Sequence, residues 1–231
     1  MPKGSVLVVV GESQAQQSIS RALVTRGYGV SLATSEEASL SAARLTPFDA
    51  IVLDADMQDF AGTQICGRLR GHVTAPIILV GSNSGEADIV LGLGLGADVY
   101  LPKPIDMPVL TAYVEAAIRR ETAYRQRQDK TRPLQVRDLT VDLSGCELRR
   151  NGTTIPLSPT EFRLIRTLAE HAGRVLTRDQ LLDSVWQTRS DEVFSRTVDV
   201  HVGRLRRKIE DDPTRPNYIV TVTGVGYKLR E

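Results

Sequence analysis

A chain of 231 residues, 41% hydrophobic and 25% charged, has a globular composition and is long enough for two domains of ordinary size, each with its own core. It contains no apolar run long enough to cross a bilayer and no signal-peptide pattern, which predicts a cytoplasmic protein that uses no membrane. The formal net charge of +1 hides an asymmetry: residues 1–120 carry 9 Lys and Arg against 12 Asp and Glu, and residues 121–231 carry 20 against 16, so a polyanionic partner is sought in the C-terminal half.

From Ser5 onward, short apolar runs alternate with amphipathic segments, the pattern of a parallel sheet with helices on its faces. Strands are predicted at Val6–Val10, Gly29–Leu32, Ala50–Leu53, Pro76–Val80 and Val99–Leu101. Helices are predicted at Gln14–Arg26, Glu36–Leu45, Thr63–Leu69, Gly85–Leu95 and Met107–Arg120. These units make a doubly wound α/β domain over residues 1–120, in which chemistry gathers beyond the carboxyl ends of the strands. The residues at those ends are Val10, Gly11 and Glu12, then Asp54, then Gly81 and Ser82, then Lys103. Cys66 and Cys146 form no metal or redox spacing and read as reduced structural thiols.

Three stretches, Phe48–Asp54, Ala75–Ile78 and Gly96–Pro104, make residues 4–120 resemble the response-regulator receiver family, a CheY-like five-stranded fold. The resemblance implies that Asp54 stands at the phosphoacceptor position and Lys103 at the lysine of the same pocket. Two departures stand beside it. The family's paired acids for Mg²⁺ are Val10 and Gly11 here, and its Thr or Ser after the fourth strand is Gly81. Mg²⁺ requires oxygen ligands in near-octahedral geometry, and neither Val10 nor Gly11 has a side-chain oxygen. Glu12, Ser82, Asp56 and Asp59 lie near enough to strand ends to be considered as substitutes. A direct pairing of Asp54 with Lys103 is the simpler expectation, so no metal and no cofactor is assigned.

In the OmpR/PhoB branch, receivers pair through the fourth helix, fifth strand and fifth helix by means of ion pairs. By that resemblance, one such pair corresponds to Ile89 and Val109 and another to Val99 and Tyr113, all apolar here. A homodimer that needs no charge trigger follows as an expectation.

Residues 121–133 are polar and basic and read as a linker, followed by a second domain over 134–231. Alternation at Leu139–Leu143, Cys146–Arg149 and Thr153–Leu157, with a turn at Asn151-Gly152, predicts a small antiparallel sheet. Ser158-Pro159-Thr160-Glu161 and Thr177-Arg178-Asp179-Gln180 are helix starts of the capping-box type. A third helix over Ser195–Glu210 places Val198, Val202, Leu205 and Ile209 on one face and Thr197, His201, Arg204 and Lys208 on the next. Two strands around a glycine-containing turn close the chain between Tyr218 and Arg230.

Helices followed by a hairpin make a winged helix-turn-helix. Leu157–Phe162, Arg178–Leu182, Arg196–Val202, Leu205–Lys208 and Gly224–Tyr227 are similar to the OmpR/PhoB effector domain. The resemblance implies a DNA-binding transcription regulator, not an enzyme. Arg196, His201, Arg204 and Arg206 match positions that meet phosphates or bases, with Thr197 and Asp199 as secondary candidates and Lys228 on the backbone. Gly203 departs from the polar residue common at its position. Implied partners are double-stranded DNA, RNA polymerase and a second copy of the chain. A histidine kinase acting on Asp54 is the alternative input.

Overall fold

The computed structural model describes residues 2–57, 62–82, 85–126, 133–186 and 192–231, the side chains of 120–126 and 192–196 excepted. The chain divides into two compact units, Met1–Thr122 and Ala123–Glu231.

The first unit alternates β1 (Ser5–Val9), α1 (Ser13–Thr25), β2 (Gly29–Ala33), α2 (Glu36–Leu45), β3 (Ala50–Asp54), α3 (Gly62–Arg70), β4 (Ile77–Gly81), α4 (Glu86–Leu95), β5 (Val99–Pro102) and α5 (Met107–Gln126). All strand pairs are parallel, in the order β2-β1-β3-β4-β5. The inner strands β3 and β4 are buried along their whole length, which is why they read as unbroken apolar runs. Right-handed crossovers put α1 and α5 on one face, where Arg26 bonds Glu115 at 3.2 Å, and α2, α3 and α4 on the other. The order reverses between β1 and β3, so a crevice opens at their carboxyl ends, beside Val10 and Asp54. Helix α5 runs on to Gln126, so the first part of the expected 121–133 linker is helical.

In the second unit, β6 (Leu134–Val136), β7 (Leu139–Asp142), β8 (Glu147–Arg150) and β9 (Thr153–Ile155) form an antiparallel sheet. Asn151 and Gly152 turn the β8–β9 hairpin with φ of 50° and 81°, the left-handed pair that a tight hairpin requires. Next come α6 (Pro159–Glu170), β10 (Leu176–Thr177), α7 (Arg178–Trp186), α8 (Glu192–Ile209), β11 (Ile219–Val222) and β12 (Gly226–Leu229). Both helix starts are capped as expected: Ser158 and Glu161 reciprocate at α6, and Thr177 and Gln180 at α7. Two short strands escaped the sequence reading, β6 at the sheet edge and β10, which pairs with β12 to make the terminal hairpin three-stranded. No helix among the described residues is long and apolar enough to cross a membrane.

Candidate functional site

The crevice of the first unit holds a cavity of about 470 Å³ lined by Gly11, Glu12, Thr34, Ser35, Glu36, Asp54, Asp56, Met57, Ser82 and Lys103. Asp54 ends β3 and is 6% exposed. Its Oδ1 accepts hydrogen bonds from the Asp56 N–H at 2.9 Å and from Lys103 Nζ at 2.8 Å. Lys103 also donates to Asp56 Oδ2 at 2.9 Å, and that oxygen accepts from the Ser82 N–H and hydroxyl, each at 2.7 Å. One ammonium thus serves two carboxylates. Burial lowers the lysine's pKa, but Asp54 and Asp56 outweigh it and raise it above its ordinary value. Burial likewise pushes Asp56 up, and the Ser82 and Lys103 bonds more than reverse that.

The donor set here does not suit Mg²⁺. Val10 is a buried apolar side chain, nothing stands near where a Gly11 Cβ would be, and the two facing carboxylates are already joined to a cation of the chain. Among the described residues no group of three or more His, Cys, Asp or Glu is placed to hold a metal. Of the candidate substitutes, Asp56 and Ser82 are joined to each other, Glu12 is exposed at the crevice edge, and Asp59 lies outside the described residues.

The space beside Gly81 is filled. A Cβ at Gly81 would press against the Tyr100 hydroxyl and stand 2.9 Å from the Ala55 Cβ. Gly92 on α4 borders the same ring, where a Cβ would lie 2.6 Å from Leu79 Cδ2 and 3.3 Å from Tyr100 Cδ2. Tyr100 is therefore held in a slot between two glycines, 4% exposed, and burial raises its pKa. Sequence inspection marked Gly81 as a lost hydroxyl. It could not show that a tyrosine from the neighbouring strand takes the place.

The expected dimer residues need correction. Ile89 and Val99 are each only 5% exposed, spent on the unit's own core, and cannot pair across an interface as side chains on its surface. Tyr113 is half-buried, and Val109 is exposed. Exposed apolar side chains on α4 are instead Val90, Leu91 and Leu95.

In the second unit Val198, Val202, Leu205 and Ile209 of α8 are fully buried, as their spacing predicts. The adjacent stripe does not face outward, which corrects the expectation for Thr197, His201 and Arg204. These are 4%, 0% and 6% exposed. For Arg204 the partner is Glu161, a carboxylate of α6 with no solvent contact. Arg204 Nη2 approaches its Oε1 at 3.1 Å as an ion pair rather than an aligned hydrogen bond, and Lys208 Nζ donates to its Oε2 at 2.7 Å. Burial pushes the Glu161 carboxyl up, but Arg204, Lys208 and the Ser158 N–H outweigh it and hold it below the ordinary range. His201 packs on Trp186 with ring centroids 5.2 Å apart.

Arg206 leans towards the hairpin, with Nη2 donating to Ile219 O at 2.7 Å and to the Thr221 hydroxyl at 2.8 Å. Asp199 accepts from Arg178 Nε at 2.8 Å and from the Tyr227 hydroxyl at 2.7 Å. Burial first, and Asp199 second, push the Tyr227 phenol up to about 12. Lys228 is half-buried on β12, and the Arg196 side chain lies outside the described residues. Arg178 and Tyr227 were not expected in this network; an arginine at a helix start facing an aspartate on the next helix was the only sequence signal.

A receiver with a strand-end aspartate, joined to a winged helix, is the pairing of a response regulator with a DNA-binding output. Residues 6–115 match the response regulator receiver domain and residues 152–229 match the transcriptional regulatory protein C-terminal domain. The chain is 34% identical over 224 residues to the transcriptional regulatory protein KdpE of Mycobacterium tuberculosis, covering 97% of this chain and 98% of that one. Among solved structures it is similar to a RitR mutant, with TM-score 0.78, 27% identity and 99% of each chain covered. It is also similar to DrrB, an OmpR/PhoB homologue of Thermotoga maritima, with TM-score 0.50, 31% identity and 98% and 99% covered. The chain belongs to the OmpR/PhoB family of DNA-binding response regulators.

Three outcomes follow from the packing. Arg204→Ala leaves Glu161 buried with Lys208 alone and is expected to destabilise the second unit by about 3 kcal/mol, read from its chemical unfolding transition. Because the folded Glu161 pKa is depressed, its contribution is present above the unfolded value of about 4.3 and is lost as pH falls through the folded value. Gly81→Ser is expected to expel Tyr100 and cost the first unit about 1–3 kcal/mol, with altered near-ultraviolet dichroism. An unchanged midpoint and spectrum would show that the slot is not closed.

Proposed function

We propose that this transcription regulator works without Mg²⁺-dependent phosphorylation of Asp54. The observation that carries the reading is Lys103 Nζ lying 2.8 Å from Asp54 and 2.9 Å from Asp56. The charge a metal would neutralise is neutralised by the chain, and a phosphoryl group on Asp54 would find Tyr100 in the space beside Gly81, where the family has a hydroxyl side chain. The first 120 residues act as the receiver and residues 134–231 as the DNA-binding domain, in the cytoplasm, with RNA polymerase as the downstream partner.

Two copies associate through α4, β5 and α5. What supports this is the apolar surface of Val90, Leu91, Leu95 and Val109, exposed by 36%, 52%, 37% and 44%, which makes contact with no desolvation of charge. A second reading, phosphorylation by a histidine kinase, is favoured by the place of Asp54 at the end of β3 in a chain whose residues 6–115 match the receiver domain.

Phosphate-affinity electrophoresis after incubation with acetyl phosphate and Mg²⁺ separates the two. An unshifted band is expected; a stoichiometric shift abolished by Asp54→Asn establishes the second reading. In light scattering at micromolar concentration, the wild type is expected as a dimer and Leu91→Arg as a monomer.

A further inference from the structure

The buried stripes of α8 define by elimination what the helix can show to DNA. At roughly 100° per residue, Arg196, Val200, Gly203 and Arg207 lie on the line opposite Val198, Val202, Leu205 and Ile209. The two flanks are committed: Arg204 and Lys208 to Glu161 on one side, Asp199 and Arg206 to the terminal hairpin on the other. On the outward line Val200 is half-buried, Arg207 is exposed, and nothing lies within 4 Å of a Cβ built on Gly203. Among the described residues no carboxylate pairs with Arg207. Among the described side chains, the centre of the outward face therefore carries no hydrogen-bonding group and its cation sits towards the end of the helix, the Arg196 side chain lying outside the described residues.

The hairpin tip is likewise uncharged. Thr223, Gly224 and Val225 are exposed, Val225 by 46%, Gly224 takes a φ of 75°, and none is charged. Base edges in the major groove present donors and acceptors, except for one apolar group, the C5-methyl of thymine. A valine followed by a side-chain-free position lets the helix axis come closer to the groove floor and meet that methyl directly.

We propose that Val200 and Gly203 are the specificity-determining pair of this regulator and that they recognise thymine methyl groups in the major groove, with Arg207 holding a flanking phosphate. The proposal rests on the DNA-binding assignment and adds what is read. It moves the reading surface away from His201 and Arg204, which are buried.

The test uses the full-length protein to recover binding sequences from a randomised duplex pool, then compares a recovered duplex with the same duplex carrying deoxyuridine in place of thymidine. Thymines at fixed positions of each half-site are expected, with binding about fourfold weaker for each methyl removed, the change set by one buried methylene-sized group. Val200→Ala, a change that favours helix, is expected to shrink that difference, and Gly203→Arg to shift recovery towards guanine with a steeper salt dependence. Equal affinity of the wild type for both duplexes overturns the proposal, as does full discrimination retained by Val200→Ala. Recovery of no duplex by the wild type overturns the DNA-binding assignment itself.

Discussion

The ammonium of Lys103, bonded to Asp54 and Asp56 at once, sets the state of the receiver. Two carboxylates facing one another at the end of a parallel sheet repel unless a cation lies between them. In this chain that cation comes from the loop after β5, held in place by its own backbone bond to Gly81 O at 2.8 Å. The consequences spread along the strand ends. Asp56 is oriented by Ser82, Gly81 has no side chain to compete for the space, and Tyr100 closes over it between β4 and α4. A pocket neutralised from within has less use for an external ion, and the apolar Val10 beside it offers such an ion no side-chain oxygen.

Internal neutralisation also governs the second unit. Glu161 performs two tasks with one carboxylate, closing the capping box of α6 and binding two cations of α8. That arrangement fixes the rotation of α8 about its axis. Removing either cation from Glu161 to serve DNA would leave the buried carboxylate with one partner in place of two, at a cost of about 3 kcal/mol. The helix therefore offers the groove its remaining side, where Val200 and Gly203 stand.

Much of the fold was legible because it obeys local rules. The parallel units follow from apolar runs at alternating positions, Asn151-Gly152 marks its hairpin, and Ser158 with Glu161 marks a helix start. What escaped is either too short to carry a pattern or depends on partners distant in sequence. Strands β6 and β10 are too short to carry a period and exist through pairing with β7 and β12. Helical spacing places Arg204 beside His201, but only the fold brings Glu161 of α6 to Arg204 and Trp186 of α7 to His201. The same limit applies to Ile89 and Val99: both look like surface replacements in a motif comparison, and both are core.

Titration of Mg²⁺ into the full-length protein, followed by calorimetry at neutral pH, tests the receiver most directly. With Lys103 bridging Asp54 and Asp56, no saturable binding at this pocket is expected. Saturable binding that Asp54→Asn abolishes would show that the metal displaces Lys103 and that the pocket is open to phosphoryl chemistry after all.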